Sequence, residues 1–355
     1  MACQRDSRRE LLIVGAGSLG QVFAGLVARS GHPVLLVARP ATAAQLRAQG
    51  AIRLRGVVDL DVPVAPASAP AGSVGLASNA TTASASAGAI FTTKGHQLPT
   101  AARDVLQTWH PGADAWVAGV QNGLAKDDML SAVFGAERVV GAVTILGGQR
   151  QAAHVQVVSL GATFLGEFGG RRSERVEQAV ALLTAATIPT EASGAIETVL
   201  WSKACNAAGV FGVSVLTRSS GRGMNSNPHL VRAYLALVRE TAAVANAVGV
   251  ALGDFPGFPI RTYLERSDDD TVEYLTTFIR EHPLAPGEPE WYPSMTQDLL
   301  AGRRLEVDAV FGDLVERADR VGVEVPRLRL VRDLLRGTSE LQPHQPAIER
   351  VIARP

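Results

Sequence analysis

The sequence predicts an α/β protein whose N-terminal domain is built on a parallel sheet and whose C-terminal domain is all-helical. Two observations carry this prediction. A strand, a glycine-rich turn, a helix and a second strand follow one another over residues 11–38, and such units form parallel sheets with a right-handed crossover. From about Gly194 onward, long helical patterns replace the short apolar runs.

Length, composition and charge narrow the class of protein. The chain has 355 residues, 46% of them hydrophobic, which suffices for the cores of two domains. Its 34 basic and 34 acidic residues cancel, and this balance argues against a nucleic-acid partner. The two cysteines, Cys3 and Cys205, are too few for a disulfide framework and lack metal-ligand spacing. We therefore expect a cytoplasmic protein without a metal.

The sequence offers no clear targeting or membrane segment. The apolar run after residue 10 is interrupted by Gly15, Gly17 and Gly20, so it does not resemble the hydrophobic core of a signal peptide. The longest uncharged stretch of interest, 204–217, is shorter than the roughly 20 residues that a membrane helix needs. We expect a soluble protein with no membrane partner.

The N-terminal domain begins with a strand predicted at 11–15, a helix at 18–30 that Gly31 ends, and a second strand at 33–38. The segment 68–89 is small, polar and low in complexity, so it is predicted to be mostly loop, with room for short secondary structure. Further strand-like segments are predicted at 90–93, 115–120, 139–144, 155–158 and 162–169.

The C-terminal domain is predicted from apolar residues at helical spacing. They indicate long helices over 228–248 and 296–320, with a proline-rich loop at 281–293 between them. Helices of this length could also form the interface of a homodimer. The predicted limits are 10–193 for the first domain, 194–340 for the second, and 1–9 and 341–355 for loosely ordered tails.

A glycine-rich turn joins the first strand to the first helix. Its first glycine permits a tight turn, its second lets the backbone approach a pyrophosphate, and its third lets helix and strand pack closely. Because a helix N-terminus also attracts anions, the turn predicts a dinucleotide site in a Rossmann-type domain; a purely structural turn is the alternative. The turn comprises Gly15, Ala16, Gly17, Ser18, Leu19 and Gly20 and matches G-x-G-x-x-G.

Arg39 stands nineteen residues after Gly20, at the carboxyl end of the second predicted strand. In proteins that bind NAD, an acidic side chain at this place accepts hydrogen bonds from the ribose diol. An arginine cannot accept them, but its guanidinium suits a 2′-phosphate. We therefore predict NADP(H) as the cofactor, with a solvated surface arginine as the alternative.

Candidate catalytic groups lie in the helical half. Lys203 ends the triplet Trp-Ser-Lys ahead of an almost uncharged helix. A partly desolvated ammonium there could protonate a carbonyl oxygen as hydride arrives; a charge at a helix start is the alternative. Ser294, Asp298 and Glu306 have the spacing of one face of the predicted helix 296–320 and its preceding turn, although carboxylates on helices are mostly solvated.

Two polar residues follow predicted strands of the first domain. Lys94 comes after the strand at 90–93, and Asn122 comes after the strand at 115–120. Ligands of open α/β sheets bind at the carboxyl ends of the strands, so both are candidate ligand contacts. Asn122-Gly123 is also a common turn pair, which is the alternative.

Taken together, these segments resemble the ketopantoate reductase family over roughly residues 11–335. Members of that family are NADPH-dependent reductases with a Rossmann domain and a helical C-terminal domain of the 6-phosphogluconate dehydrogenase type. The resemblance rests on the glycine turn, Arg39, Lys94, Asn122-Gly123, the Trp-x-Lys of 201–203, the Gly-x-Ser-Val of 212–215, the Ser-Met-x-Gln-Asp of 294–298, and Glu306.

The resemblance implies a role for each matching side chain. Lys203 would be the general acid that also binds the substrate carbonyl, and Glu306 would hydrogen-bond this lysine or the forming hydroxyl. Asn122 would place both nicotinamide and substrate, and Ser294 would bind the substrate carboxylate. Lys94 and the glycine turn would contact the cofactor.

The chain departs from the family in the residues expected around the substrate. The family usually has asparagines four and eight residues after the lysine, where this chain has Ala207 and Phe211. Asn206 stands one position early, about 100° around the helix, so it is not an obvious substitute. Trp291 stands where family members often have an asparagine.

These departures shape the predicted function. We expect an NADPH-dependent reductase that converts a 2-oxo acid or related keto compound to the hydroxy product. Its small-molecule substrate would be bulkier or more apolar than ketopantoate, as in secondary metabolism. Reduction of an imine or a 3-oxo substrate on the same scaffold is one alternative. A non-catalytic NADP-binding sensor is another.

Overall fold

The computed structural model of the protein describes residues 10–66, 72–80, 86–285 and 290–342. The chain forms two compact units. The first contains the residues up to Gln121 together with 125–200, and the second contains 122–124 and the residues from Trp201 onward. The tails predicted at 1–9 and 341–355 lie outside the described residues, except for residues 341 and 342.

The first unit is built on a mixed sheet. Its parallel part has the order β4-β5-β2-β1-β6-β7, and β8, β9, β10 and β3 complete the sheet with parallel and antiparallel pairs. The strand order reverses at β1, where open α/β sheets bind ligands. The strands are β1 Leu11–Val14, β2 Val34–Val37, β3 Ala51–Gly56, β4 Leu60–Ala65, β5 Val74–Ala77, β6 Gly88–Phe91, β7 Trp116–Gly119, β8 Gly141–Arg150, β9 Val155–Gly166 and β10 Thr190–Ala192.

Helices complete the first unit, and the predicted strand–helix–strand start is confirmed. β1 and β2 pair in parallel from Leu11 opposite Val34, and the first helix between them buries Val22, Phe23 and Val27 completely. This burial is what the predicted apolar face of the helix requires. The helices are α1 Ser18–Arg29, α2 Pro40–Gln49, α3 Leu98–Thr108, α4 Ala125–Phe134 and α5 Glu174–Ala185.

Two segments of the first unit show detail that the sequence did not give. The segment 68–89, predicted to be mostly loop with room for short secondary structure, contains β5 at Val74–Ala77, where all four residues are buried, and the start of β6. A strand that is paired on both sides and covered on both faces shows no alternation of apolar and polar residues, so composition hid it. The separate segments at 155–158 and 162–169 are parts of one strand, β9.

The second unit is helical, as predicted, with one small hairpin as an exception. The predicted helix at 228–248 is confirmed as α8, which Asn227 caps by accepting hydrogen bonds from two backbone N–H groups. The helices are α6 Ile196–Thr217, α7 Gly221–Asn225, α8 Pro228–Ala247, α9 Ile260–Glu265, α10 Asp268–Glu281, α11 Ser294–Leu300, α12 Asp313–Val321 and α13 Pro326–Leu341, with a π-helix at Asp308–Gly312; the hairpin strands are β11 Asp254–Phe255 and β12 Phe258–Pro259.

The predicted helix at 296–320 is wrong, because the chain leaves the helical conformation after Leu300. Gly302 has a φ of +63°, its N–H donates to the Leu299 carbonyl, and the Arg303 N–H donates to the Asp298 carbonyl. This pair of bonds is the usual glycine-terminated end of a helix. Glu306 therefore does not share a helix face with Ser294 and Asp298.

The apolar helix α6 is longer than the sequence indicated. It has 22 residues and, by length and composition alone, could cross a membrane. However, 78% of its most apolar 18-residue window is buried inside the fold, which is the behaviour of a core helix. Its glycines allow close packing, since a Cβ on Gly212 would meet the side chains of Leu237 and Phe311.

Candidate active site

The glycine turn of the first unit has the close contacts that its pattern predicts. Gly15 has a φ of +111°, and a Cβ there would lie 2.9 Å from the Thr93 backbone nitrogen. A Cβ on Gly20 would overlap the Gly15 carbonyl oxygen, which accepts a 2.7 Å hydrogen bond from the Thr92 hydroxyl. Both glycines are therefore required by the packing of β1, α1 and the segment after β6.

The remaining part of the turn leaves room for an anion. Within the described part of the chain, a Cβ on Gly17 would meet nothing within 4 Å, and no side chain caps the N-terminus of α1, whose first turn contains no acidic residue. The backbone N–H groups at Ser18 and Leu19 thus start a helix whose positive end can receive a phosphate. The neighbouring Ala16 is buried, and its carbonyl accepts a hydrogen bond from the Gln21 amide. The turn therefore fits the pyrophosphate of a dinucleotide.

The end of β2 lies against the same turn. The Gly15 N–H donates to the Val37 carbonyl, and Arg39 follows two residues later, exposed, at the start of α2. Lys94 is half-buried and follows directly after Thr93, whose buried hydroxyl has no hydrogen-bond partner among the residues that the structure describes. Arg39 and Lys94 thus follow closely after the two backbone segments that contact the turn, the end of β2 and Thr93.

Lys203 lies inside α6, not ahead of it, so the alternative of a charge at a helix start is wrong. The helix begins at Ile196, which places the lysine in its second to third turn. Ala207 and Phe211 follow at intervals of four residues and share the same face. Both are buried, so this face offers the lysine apolar neighbours along the helix.

The surroundings of Lys203 lower its affinity for a proton. Its Nζ atom lies 5.6 Å from the ring centroid of Phe258, a fully buried residue of β12. Burial lowers the pKa of Lys203 from 10.5 to about 8, because a low dielectric disfavours the ammonium. An amine with this pKa is still protonated at neutral pH and can donate its proton readily.

Ser294 is the first residue of α11 and is half-buried. Its helix is fixed against α6 by a 2.7 Å hydrogen bond between the hydroxyls of Ser214 and Thr296, both completely buried. The Gly-x-Ser-Val and Ser-Met-x-Gln-Asp motifs are thus joined through these two side chains. The bond orients Ser294 relative to the helix that carries Lys203.

Glu306 and Asn122 are connected through the π-helix. Glu306 is buried and lies two residues before this helix begins. A Cβ on Gly123 would overlap the Ala309 carbonyl, so the Asn122-Gly123 turn packs directly on the π-helix backbone. Such helices are rare and often occur at functional sites. Asn122 and Glu306 thus belong to the same compact unit as Lys203 and Ser294.

The two remaining departures from the family pattern have clear packing partners. Asn206 accepts a 3.0 Å hydrogen bond from the buried Tyr234 hydroxyl of α8. The Asn206 carboxamide oxygen is therefore bound to a neighbouring helix. Trp291 is half-exposed, its carbonyl accepts a hydrogen bond from the Gly221 N–H, and its ring lies 3.0 Å from the Cβ position of that glycine. The indole is therefore supported by α7.

Comparisons with known proteins give the same assignment for both halves of the chain. The family model described as ketopantoate reductase PanE/ApbA matches residues 11–170, and the model of the ketopantoate reductase PanE/ApbA C terminal matches residues 195–339. The chain belongs to the ketopantoate reductase family. This confirms the predicted family and the predicted class of enzyme, an oxidoreductase that acts on a C=O or CH–OH group.

Individual members of the family are similar to this chain along nearly their whole length. The 2-dehydropantoate 2-reductase of Pyrococcus abyssi is 26% identical over 335 residues, or 94% of this chain and 99% of the relative. The solved 2-dehydropantoate 2-reductase from Geobacter metallireducens GS-15 has a TM-score of 0.76 at 23% identity and covers 92% of this chain and 99% of that one. A ternary structure of D-mandelate dehydrogenase with NADH and anilino(oxo)acetate has a TM-score of 0.75 at 18% identity, covering 94% and 99%. These structural matches confirm the predicted fold class.

Two residues near the candidate site, Thr93 and Phe258, were not identified from the sequence. Thr93 gave no signal beyond its place at the end of a strand next to Lys94. Phe258 lies more than fifty residues after Lys203 in a strand of two residues, which is too short for a periodicity to show. Only the fold brings that ring to the lysine.

Proposed function

We propose that this member of the ketopantoate reductase family is an NADPH-dependent reductase of 2-oxo acids that are bulkier or more apolar than ketopantoate. The observation that carries the proposal is the half-buried Lys203, whose pKa burial lowers to about 8, on a helix face that continues with Ala207 and Phe211. A proton donor of this kind suits reduction of a carbonyl group. The two apolar side chains suit a substrate without the hydroxyl of ketopantoate.

NADPH is the proposed cofactor. The open, uncapped N-terminus of α1 at Gly17 fits its pyrophosphate, and the exposed Arg39 suits its 2′-phosphate. Lys94, beside the unsatisfied Thr93 hydroxyl, would bind a further polar part of the cofactor. When bound, the reduced nicotinamide supplies a hydride to the carbonyl carbon of the substrate.

The residues of the second unit would supply the proton and hold the substrate. The Lys203 ammonium donates a proton to the carbonyl oxygen as the carbon becomes an alcohol, and the resulting amine regains a proton from solvent. Ser294, with its hydroxyl at a helix N-terminus, binds the substrate carboxylate. Asn122 orients the reacting groups, and Glu306 accepts a hydrogen bond from the lysine or from the new hydroxyl.

The proposed preference for an apolar group rests on the replaced asparagines. A pocket built to hydrogen-bond a hydroxyl rejects analogues that lack it, because buried polar groups are then left unpaired. Ala207 and Phe211 remove that requirement, and Trp291 adds a large apolar surface. The similarity to D-mandelate dehydrogenase with anilino(oxo)acetate, which carries an aromatic ring, supports such a substrate. A role in secondary metabolism is part of the same proposal.

The setting of the enzyme is also part of the proposal. We place it in the cytoplasm, as a homodimer that binds neither nucleic acid nor membrane. Exposed leucines on one face of α13 support a homodimer interface: Leu330, Leu334 and Leu341 are 61%, 48% and 56% exposed. Such a row of large apolar side chains on one helix is typical of a surface that another chain covers.

Steady-state kinetics test this function. Reduction of ketopantoate is compared with reduction of phenylglyoxylate, 2-oxo-4-methylpentanoate and indole-3-pyruvate, each with NADPH and then with NADH. We expect a higher kcat/KM for the apolar acids and for NADPH. Efficient turnover of ketopantoate alone would refute the substrate proposal, and equal use of NADH would refute the cofactor proposal. NADPH binding without turnover of any carbonyl or imine substrate would favour the sensor.

A further inference from the structure

The hairpin of the second unit is fastened to the helix that carries Lys203. The Gly253 N–H, one residue before β11, donates a 2.9 Å hydrogen bond to the hydroxyl of Ser202, which is completely buried. Phe255 and Phe258 contact each other across the hairpin, with ring centroids 5.4 Å apart. The hairpin that is attached to α6 in this way carries the Phe258 ring that lies next to the Lys203 Nζ atom.

The ring can act on the ammonium in two opposite ways. Its bulk excludes water from one side of Lys203, and loss of water disfavours the charged form. Its π face, 5.6 Å from the Nζ atom, attracts the charge and favours the charged form. An aliphatic side chain of similar size would exclude water but provide no attraction.

Four other ionisable groups of the second unit have pKa values that are shifted away from that of Lys203. Burial raises the pKa of the Cys205 thiol and of the Tyr234 hydroxyl, and it raises that of Tyr263 to about 12. Hydrogen bonds from Thr262 and the charge of Arg261 outweigh burial and lower the pKa of Asp254. The groups on the surrounding elements are Cys205 on α6, Tyr234 on α8, Arg261 and Tyr263 on α9, Asp254 on β11, and Glu306 before the π-helix.

We propose that Phe258 is a positioning residue that sets the protonation of Lys203, shielding the ammonium from water while its ring face keeps the ammonium charged. The catalytic role of this effect rests on the proposed function. The effect of Phe258 on the proton of Lys203 does not depend on it. The ring would keep the desolvated lysine protonated at neutral pH. Lys203 would then carry the proton that the reaction needs and still release it easily.

Competitive acetylation measures the proton affinity of Lys203 without any substrate. The full-length protein is labelled with trace acetic anhydride over a range of pH, and each lysine peptide is quantified by mass spectrometry. The chain has three lysines; the half-buried Lys94 serves as the internal reference, because Lys126 is buried in an ion pair with Asp127. In the native protein the labelling midpoint of Lys203 is expected at about 8.

Variants of Phe258 separate the two effects of the ring. Phe258→Leu keeps the shielding and removes the π face, so the midpoint should fall by about 0.5 to 1 pH unit. Phe258→Ala admits water, so the midpoint should rise toward the ordinary lysine value. Opposite shifts support the proposal. An unchanged midpoint, or a shift in the same direction for both variants, would overturn it.

Further variants distinguish an effect of the ring itself from a midpoint shift caused by loosening of the hairpin. Pentafluorophenylalanine at position 258 keeps the shape of the ring and reverses its quadrupole, so the midpoint should fall at least as far as in Phe258→Leu. This result does not depend on the folding of the truncated variants, and an unchanged midpoint would again overturn the proposal. Phe255→Leu alters the neighbouring ring and should leave the midpoint unchanged; a fall equal to that of Phe258→Leu would contradict the proposal.

The pH profile of kcat/KM then separates this inference from the proposed function. If Lys203 is the acid, the alkaline limb of the profile moves with the labelling midpoint in each variant. If the labelling midpoint moves and the limb does not, the role of Lys203 as the acid fails while the effect of Phe258 on it stands. If neither moves, the inference itself fails.

Discussion

A Cβ on Gly20 would overlap the carbonyl oxygen of Gly15, so the third glycine of the turn is fixed by backbone packing within the protein itself. The second glycine is in the opposite situation. A Cβ on Gly17 would enter open space at the N-terminus of α1, where only a ligand would meet it. The two positions therefore separate the demands of the fold from those of the cofactor.

Substitution of these two glycines should give different defects. Gly20→Ala should destabilise the protein by about 1–3 kcal/mol or more, because the backbone must shift to admit the methyl group. Gly17→Ala should leave the unfolding temperature unchanged and weaken NADPH binding about 10-fold or more, as the loss of a charge-assisted hydrogen bond would. Thermal unfolding and fluorescence titration with NADPH measure both effects. Equal destabilisation by the two variants would contradict this assignment.

Arg39 should decide between the two nicotinamide cofactors. Loss of a guanidinium–phosphate contact costs about 1.5–3 kcal/mol, so Arg39→Ala should raise the KM for NADPH about 10- to 100-fold. The KM for NADH should hardly change, because NADH lacks the 2′-phosphate. Arg29→Ala removes another exposed arginine of the same unit, at the C-terminal end of α1, so it is the matched control and should alter neither KM. Equal losses with both cofactors would exclude a 2′-phosphate contact.

Lys203 should be required for turnover but not for cofactor binding. Lys203→Ala should reduce kcat about 10²- to 10⁴-fold, the usual contribution of a general acid, while the Kd for NADPH stays the same. Lys203→Arg keeps the charge but binds its proton too tightly to donate it, so it should not restore kcat. Stopped-flow reduction and NADPH titration distinguish these outcomes, and a sensor would show no kinetic effect of either change.

The pH dependence of the reaction should follow the proton on Lys203. Reduction needs the ammonium, so kcat/KM should be level below the lysine pKa of about 8 and fall tenfold per pH unit above it. Oxidation of the hydroxy product needs the neutral amine, so its rate should rise through the same pH and level off above it. Initial rates in both directions test this symmetry. Matching profiles in the two directions would show that another group limits the reaction.

The parts of the fold that were predictable are those in which a local pattern specifies the structure. The glycine turn and α1 combine a fixed spacing with an apolar face, and α8 begins at an asparagine cap followed by proline. The strand β5 was missed because buried parallel strands show no alternation. The break after Leu300 was missed because one glycine in the left-handed conformation outweighed an apolar pattern that continues on both sides of it.

The candidate site also has a part that was predictable from the sequence and a part that was not. Lys203, Ser294 and Glu306 could be named because motifs at fixed distances along the chain marked them, but their surroundings are set by contacts between distant segments. The hydrogen bond between Ser214 and Thr296 and the placing of Phe258 over the lysine are of this kind. Neither contact is visible in the local sequence, so the sequence could suggest a desolvated lysine but could not identify the residues that surround it.

Burial of Lys203 should make the protein less stable near neutral pH. Its pKa is about 8 in the folded protein, against 10.5 for the free side chain, so the unfolded chain holds the proton more tightly. The full cost is present below pH 8, decreases as the folded state loses its proton, and is gone above 10.5. Stability should therefore rise with pH between these two values on account of this residue.

Lys203→Met tests this linkage, because it removes the charge and keeps the apolar stem. Near pH 7 the variant should be more stable than the native protein by on the order of 1 kcal/mol, after allowance for the partial exposure of the lysine. The advantage should shrink as the pH approaches 10.5, as measured by urea unfolding at each pH. Lys126→Met is the control: it leaves Asp127 buried without the ammonium that now lies 2.6 Å from it, so it should destabilise the protein near neutral pH. A Lys203→Met variant less stable than the native protein near pH 7 would show that the ammonium is satisfied by contacts stronger than its desolvation.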